Sequence, residues 1–287
     1  MLEGQVAFIT GAGSGIGRGT AERLAREGAN ICIADIDLDG ADETASMVRE
    51  FGREALVVKA NVASAPQVAA AAAACTERFG RLDICVANAG VGRGGSLLEM
   101  DLKNWQDQVD INLTGVFLTA QACAREMVKA GNGGRIIAMS SLAAENTGAM
   151  SWSYSATKAG VRMMVRGWAQ ELGEHGITVN AIGPGVIDTP LAHGLAGDEG
   201  GPIRRALEER TPAGRSGRPA DIAGLIAFLC SPDAEFMTGS YLLMDGGLRD
   251  ARGNVPDPQS PAMQERMRHM AIAQARTAKL QPLIDER

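Results

Sequence analysis

Short apolar runs alternate along this chain with longer segments in which apolar residues recur at helical spacing. Each run has the length of a buried strand, and each longer segment can form a crossover helix. The pattern predicts an α/β fold built on a doubly wound parallel sheet with helices on both faces. The predicted strands are residues 6–10, 31–34, 55–60, 82–87, 135–140 and 177–182. The predicted helices are residues 16–27, 39–51, 66–79, 102–129 and 152–175.

Two regions break this alternation. The first, about residues 189–218, is rich in Gly, Pro and charge, and has one short helical piece around 203–209, so it is predicted to be a lid. The second follows residue 248, where three prolines between 252 and 261 precede Met263, Met267 and Met270 at helical spacing. We therefore predict a single folded domain over residues 1–248 and a Pro-containing linker with an amphipathic tail helix over residues 249–287.

Composition narrows the function classes. The net charge is -6, and no basic run interleaved with aromatic residues occurs, which argues against nucleic acid as a partner. The five cysteines are scattered without a C-x-x-C pair, and the three histidines are far apart, so we expect reduced core cysteines and no metal site. There is neither a secretory signal pattern nor a run of about 20 apolar residues. A cytoplasmic protein that does not enter the membrane is expected.

A glycine-rich turn follows the first predicted strand directly. Residues 10–17 read T-G-A-G-S-G-I-G and lead into a helix, and Asp35 stands at the end of the second strand. Glycines let the backbone approach a pyrophosphate, the helix N-terminus favours anions, and a carboxylate at position 35 would bind ribose hydroxyls and repel a 2′-phosphate. The pattern favours NAD over NADP. A plain tight turn with a capping aspartate, or an S-adenosylmethionine site, remains an alternative.

Tyr154 and Lys158 are four residues apart at the start of a predicted helix, which places them on one face, about one turn from each other. A free tyrosine titrates near ~10, so a neighbouring ammonium group would lower its pKa toward a range useful for proton transfer. The pair is a candidate catalytic pair. Taken alone, such a pair more commonly belongs to a solvated helix face.

At this point the chain resembles the short-chain dehydrogenase/reductase family, through motifs that occur in the family's order and at its separations. They are the glycine turn at 10–17, A-N-A-G at 87–90, I-N-L-T-G-V-F around Asn112, M-S-S-L-A-A around Ser141, Y-S-A-T-K at 154–158, N-A-I-G-P-G-V-I-D-T-P at 180–190 and T-G-S-Y-L-L-M-D-G-G at 238–247. The resemblance covers residues 1 to about 248. It implies a Rossmann fold of about seven strands, hydride transfer between NAD and a small alcohol or ketone, and a homo-oligomer, commonly a tetramer but otherwise a dimer.

The resemblance also implies roles for four residues. Tyr154 would exchange a proton with the substrate oxygen, and Lys158 would lower the pKa of Tyr154 and bind the nicotinamide ribose. Ser141, rather than Ser140, would polarise the substrate oxygen, and Asn112 would anchor a water that leads from the lysine to solvent. The implied cofactor-binding residues are Gly11, Ser14, Ile16, Gly17, Asp35, Asn61, Val62, Asn88, Ala89, Gly90, Tyr154, Lys158, Pro184, Ile187 and Thr189.

Two positions depart from the family, which often has Asp at position 61 and Asn at position 87, where this chain has Asn61 and Ala87.

The preferred hypothesis is an NAD-dependent dehydrogenase of secondary alcohols. The alternatives are a reductase of 3-oxoacyl thioesters, whose relatives usually carry a basic residue for NADP, and a noncatalytic dinucleotide-binding protein. The extension could pack on another subunit, close over the active site, or form a loose surface helix.

Overall fold

The computed structural model describes residues 1–196 and 201–250, and further along the chain residues 261, 263–265 and 267–269. Seven strands form one sheet in the order β3-β2-β1-β4-β5-β6-β7, with every neighbouring pair parallel. The predicted doubly wound parallel sheet is confirmed. The strands are β1 (Val6–Thr10), β2 (Asn30–Asp35), β3 (Ala55–Lys59), β4 (Ile84–Ala87), β5 (Gly134–Met139), β6 (Ile177–Pro184) and β7 (Tyr241–Met244).

Helices cover both faces of the sheet because successive residues of each strand point to opposite sides. The helices are α1 (Gly15–Arg26), α2 (Leu38–Glu50), α3 (Ala65–Phe79), α4 (Leu102–Val109), α5 (Gly115–Ala130), α6 (Trp152–Leu172), α7 (Pro190–Ala196), α8 (Pro202–Arg210) and α9 (Pro219–Cys230). Ala7 and Ile9 belong to one core, with apolar residues of α1, α2 and α9, whereas Phe8 belongs to the other, with residues of α3, α5 and α6.

The structure differs from the predicted elements in three places. The helix predicted over residues 102–129 contains a π-helical turn, Asp110–Thr114, between α4 and α5. Neither α9 nor β7 was among the predicted segments. The region predicted as a lid contains two helices, α7 and α8, rather than one.

The C-terminal extension lies largely outside the described residues. Its described residues, 261, 263–265 and 267–269, are helical. The predicted linker at 252–260, Met270 and the end of the chain, as well as residues 197–200 of the predicted lid, are not among them. The packing predicted for the extension therefore stays a prediction.

The strand order fixes where a ligand can bind. From β1 the chain moves to one side through β2 and β3, and β4 then returns to the other side of β1. A crevice opens at such a reversal, outside the carboxyl ends of the two strands. The glycine turn follows β1 and residues 88–90 follow β4, so both lie at this crevice.

Some chemistry is absent from the described part of the chain. Its residues contain no group of three or more His, Cys, Asp or Glu side chains placed to hold a metal ion. No helix formed by them has the length and apolar character to cross a membrane. All five cysteines are free and buried, as the sequence predicted.

Candidate active site

A cavity of about 420 Å³ lies at the carboxyl ends of the strands. Of the residues that the sequence singled out for catalysis or cofactor binding, all line this cavity except Gly17 and Asn112, which are not among its described lining. Asp35, Asn61 and Val62 lie at the side of β2 and β3, and Ser141, Tyr154 and Lys158 at the side of β5. Further lining residues that the sequence had not singled out include Asp37, Met139 and Leu191.

The glycine turn passes close to the segment after β4. Gly11 has a positive φ of 67°, and a Cβ built on it would lie 2.8 Å from the Ala89 Cα. A Cβ on Gly17 would overlap the Gly11 carbonyl oxygen, so this glycine lets α1 pack against the turn. Ser14 is the N-cap residue of α1, whose first N–H groups have no partner within the helix. These amides and the helix dipole favour an anion beside the turn.

Asn88 fastens β4 to β1. Its Nδ2 donates to the carbonyl oxygens of Thr10 at 2.9 Å and Gly11 at 3.0 Å, and its backbone N–H donates to Thr10 Oγ1 at 3.1 Å. These three hydrogen bonds tie the segment after β4 to the glycine turn in a chain that has alanine at position 87.

Asp35 lies at the far end of the cavity with both carboxylate oxygens engaged. Oδ2 accepts from Gly13 N at 2.7 Å, and Oδ1 accepts from Asp37 N at 3.0 Å. Burial raises the pKa of Asp35, and these backbone hydrogen bonds act in the opposite direction. Each carboxylate oxygen retains a second lone pair, so the group can still accept from hydroxyls of a ligand.

Asn61 is buried beside this end of the cavity. Its side-chain Oδ1 accepts from Ala63 N at 3.0 Å, while its backbone N–H donates to Gln67 Oε1 at 2.9 Å. The side chain thereby stabilises the turn that leads into α3. An Asp carboxylate could accept the same hydrogen bond, so this turn does not depend on the departure at position 61, and the contact of Asn61 with adenine stays a prediction.

Ser141, Tyr154 and Lys158 meet at the other end. The Ser141 hydroxyl interacts with the Tyr154 phenol and lowers its pKa, and Lys158 Nζ lies 5.6 Å from the centre of the tyrosine ring. Ser140, in contrast, turns its hydroxyl away and donates to the Lys158 carbonyl at 2.8 Å. The geometry places Ser141, and not Ser140, beside the phenol, while the catalytic role of Ser141 stays a prediction.

The pKa of Tyr154 differs in direction from the sequence expectation. The side chain opens partly into the cavity, yet burial raises its pKa, and the hydrogen bond with Ser141 only offsets part of this. Lys158 is 3% exposed, donates from Nζ to the Met139 carbonyl at 2.9 Å, and has a pKa lowered to about 8 by burial. Burial opposes the charged forms of both side chains, so the pKa of Tyr154 is raised beside Lys158 and not lowered as its spacing from the lysine had suggested.

This burial leads to a prediction about stability. Lys158 titrates at about 8 in the folded protein and near 10.5 when unfolded, so below pH 8 both states hold the proton, and between the two values only the unfolded state does. The folded parent thus gains stability as pH rises through this interval. The free energy of unfolding of the parent should therefore rise by about 3 kcal/mol relative to that of Lys158→Met between pH 8 and 10.5.

Urea unfolding at a series of pH values measures this difference, and groups common to both proteins cancel. Lys129→Met, which removes an exposed lysine near the end of α5, is the matched control and should show no such trend relative to the parent. A constant difference between Lys158→Met and the parent would contradict the prediction.

Asn112 lies in the π-helical turn and is fully buried. Its Oδ1 accepts from Val91 N at 2.8 Å, and its Nδ2 donates to the Val91 carbonyl at 2.8 Å. A Cβ on Gly90 would lie 3.1 Å from Asn112 Oδ1 and 3.6 Å from Lys158 Nζ, so both polar groups flank this glycine. Asn112 thus holds the segment after β4 beside the lysine, while its link to a water stays a prediction.

The segment after β6 is tied to the predicted lid. Thr189 Oγ1 accepts from Ala192 N at 3.2 Å and so caps the start of α7. Asp188 pairs with His193 at 2.7 Å and with Arg204 at 3.1 Å, and these partners, His193 first, lower the pKa of Asp188. His193 therefore has a structural partner, which the sequence alone did not indicate.

Comparison with known proteins supports a family assignment. Residues 11–249 match the family described as enoyl-(acyl carrier protein) reductase. The chain is 42% identical to cis-4-hydroxycyclohexanecarboxylate dehydrogenase of Sinomonas cyclohexanicum, over 85% of this chain and 96% of the relative. It is 39% identical to a 3-oxoacyl-[acyl-carrier-protein] reductase of Synechocystis sp., over 86% and 98%. The structure of 7α-hydroxysteroid dehydrogenase complexed with NADH and 7-oxo glycochenodeoxycholic acid matches with a TM-score of 0.82 and 34% identity, over 88% and 97%.

The sheet, the glycine turn and the grouping of Ser141, Tyr154 and Lys158 define a dinucleotide-dependent oxidoreductase. The chain belongs to the short-chain dehydrogenase/reductase family, as its sequence motifs indicated. It is an NAD(P)-dependent enzyme that interconverts alcohols and carbonyl compounds.

Proposed function

We propose that this chain oxidises secondary alcohols with NAD and that Tyr154 exchanges the proton with the substrate oxygen. The observation that carries the proposal is the meeting of Ser141, Tyr154 and Lys158 at one end of a cavity that has Asp35 at the other. The donor set fits a dinucleotide, because backbone amides and a helix N-terminus line the middle of the cavity and a carboxylate lies where a ribose would bind.

Each polar side chain has a distinct part in the proposed reaction. NAD, when bound, supplies the acceptor for the hydride that leaves the carbinol carbon. The Ser141 hydroxyl holds the substrate oxygen, and the Tyr154 oxygen takes the hydroxyl proton as the carbonyl forms. Lys158 places a positive charge that favours the phenolate, and binds the nicotinamide ribose. Asn112 holds Val91 and anchors the water through which the proton reaches solvent.

The preference for NAD rests on Asp35. Its carboxylate can accept from both hydroxyls of the adenosine ribose and would repel a 2′-phosphate. Arg18 is the cation nearest in sequence to this turn, and its guanidinium already donates to Thr44 Oγ1, to Glu43 and to the carbonyl oxygens of Gly13 and Gly40. An arginine held by four acceptors is poorly suited to bind a phosphate as well.

A cytoplasmic homo-oligomer, dimeric or tetrameric, completes the proposal. Five free, buried cysteines fit a reducing compartment. Phe117 and Val128 of α5 and Met163 of α6 are exposed apolar side chains that a second copy could cover. A monomeric mass from light scattering would contradict the oligomer.

An activity panel tests the proposal. The purified protein is incubated with NAD or NADP and three alcohol classes: a cyclic hydroxycarboxylate, an open-chain secondary alcohol and a 3-hydroxyacyl thioester, while the absorbance of the reduced nicotinamide is followed. We expect turnover with NAD and a secondary alcohol. Turnover confined to NADP and the thioester would favour the 3-oxoacyl reductase, and dinucleotide binding without any turnover would favour the noncatalytic alternative.

A further inference from the structure

Tyr241 reaches across the sheet to the serine of the active site. It is the first residue of β7, and its hydroxyl donates to the Ser141 carbonyl oxygen at 2.6 Å. The ring passes over Gly183 of β6, where a Cβ would lie 2.6 Å from the ring Cζ and overlap the hydroxyl oxygen. Glycine at this position therefore leaves the space through which the phenol reaches Ser141.

The tyrosine ring is itself held from outside the cavity. The Arg162 guanidinium lies 4.6 Å from the ring centre, and Glu145 pairs with Arg162 at 3.1 Å and with Arg249 at 3.3 Å. Burial, together with the charge of Glu145, raises the pKa of Tyr241 to about 12. The phenol consequently stays protonated and remains a hydrogen-bond donor at neutral and moderately alkaline pH.

Ser141 needs such support because it lies beyond the end of β5. The preceding residue, Ser140, still bonds through its N–H to the Ile182 carbonyl at 2.8 Å. The Ser141 carbonyl accepts from Ala144 N at 2.9 Å, within the following turn, and its hydroxyl accepts from Ala143 N at 3.1 Å. Both of these partners are local. Tyr241 supplies the hydrogen bond that fixes this turn to the sheet.

We propose that Tyr241 is a positioning residue that holds Ser141 at the correct place beside Tyr154. This inference rests on the proposed function and adds to it a residue outside the described cavity lining. Tyr241 belongs to the motif at 238–247, but the motif gave no indication of this role. The hydrogen bond between Ser141 and Tyr154 lowers the tyrosine pKa. Loss of the Tyr241 hydroxyl should therefore displace the serine and raise the pKa of Tyr154.

Tyr241→Phe removes one oxygen and keeps the ring under Arg162. We expect kcat for alcohol oxidation to fall about 10-fold, because a small misplacement of a catalytic group is costly. The acidic limb of the pH profile of kcat should move to higher pH, while the Kd for NAD stays within about twofold. Ser231→Ala is the matched control, since its buried hydroxyl donates to the Phe228 carbonyl at 2.7 Å, at the end of α9. It should keep the parental kcat and pH profile.

A second measurement needs no substrate. The chain has two tyrosines, so Tyr241→Phe leaves Tyr154 as the sole phenol, and tyrosinate absorbance titrates that residue alone. The parental titration of Tyr154 follows by subtracting the curve of Tyr154→Phe from that of the parent. A higher midpoint in Tyr241→Phe supports the inference, and an unchanged midpoint overturns it. A parent that oxidises no alcohol would refute the proposed function, yet this titration would still decide the role of Tyr241.

Discussion

Tyr154→Phe is expected to lower kcat for alcohol oxidation by about 10²–10⁴-fold, the range that a positioned acid or base contributes. The substitution removes the phenolic oxygen, which interacts with Ser141, and leaves the ring 5.6 Å from Lys158 Nζ. Binding of NAD should change far less than kcat, because the other implied cofactor-binding residues, Lys158 among them, are retained. Steady-state kinetics and calorimetric titration with NAD measure the two quantities separately.

Comparison with Tyr241→Phe distinguishes the loss of direct proton exchange from the loss of a positioning hydrogen bond. Both variants lose one phenolic oxygen, but only Tyr154 has the place in the cavity to exchange a proton directly. We expect the loss at Tyr154 to be the larger by at least about 10-fold. A Tyr154→Phe enzyme that turned over as fast as the parent would show that another group takes the proton.

Six of the seven strands could be predicted from the sequence because parallel strands are covered on both faces. Each therefore appears as a short, nearly continuous apolar run between helical segments. The seventh, β7, is four residues long and only half-buried, so its pattern is weaker. Helix α9 is buried at Ile222, Ala223, Ile226, Ala227 and Leu229, and so lacks the polar face that would have marked a helix.

The π-helical turn at 110–114 shows where local pattern fails. The residues on both sides of this turn are helical. The spacing of apolar residues in the turn does not differ from that in the α-helices around it. Asn112 contacts Val91 through two hydrogen bonds that join distant parts of the chain. A turn associated with such long-range contacts could not be found from helical periodicity.

The site was predictable to the extent that its groups lie in contiguous motifs. The motifs are short stretches with a recognisable order, and three of them contain Gly11, Ser141 and the pair Tyr154 and Lys158. The fold brings these three stretches to one cavity. Tyr241 reaches Ser141 across 100 positions of sequence, through the register of β6 and β7. The direction of the Tyr154 pKa was equally inaccessible, because burial decides it and spacing does not report burial.

Asp35→Asn is expected to change the cofactor preference by about 100-fold toward NADP. The carboxylate that would repel a 2′-phosphate is replaced by a neutral amide of the same shape, and like charges brought together at a binding site cost several kcal/mol. One amide oxygen can replace only part of the carboxylate's contacts with Gly13 N and Asp37 N, so some loss of activity with both cofactors should accompany the change. The ratio of kcat/KM for NAD to that for NADP cancels this general loss.

Asp37→Asn is the matched control for charge. Asp37 lines the same cavity, but its side chain accepts from Gly40 N at 3.2 Å and caps α2. If ribose hydroxyls bind Asp35 specifically, Asp37→Asn should shift the ratio far less than Asp35→Asn, although both remove one negative charge. Equal shifts would assign the preference to the net charge of this end of the cavity. Because burial raises the pKa of Asp35, the parental preference for NAD should also weaken as pH falls through that pKa, and Asp35→Asn should lack this dependence.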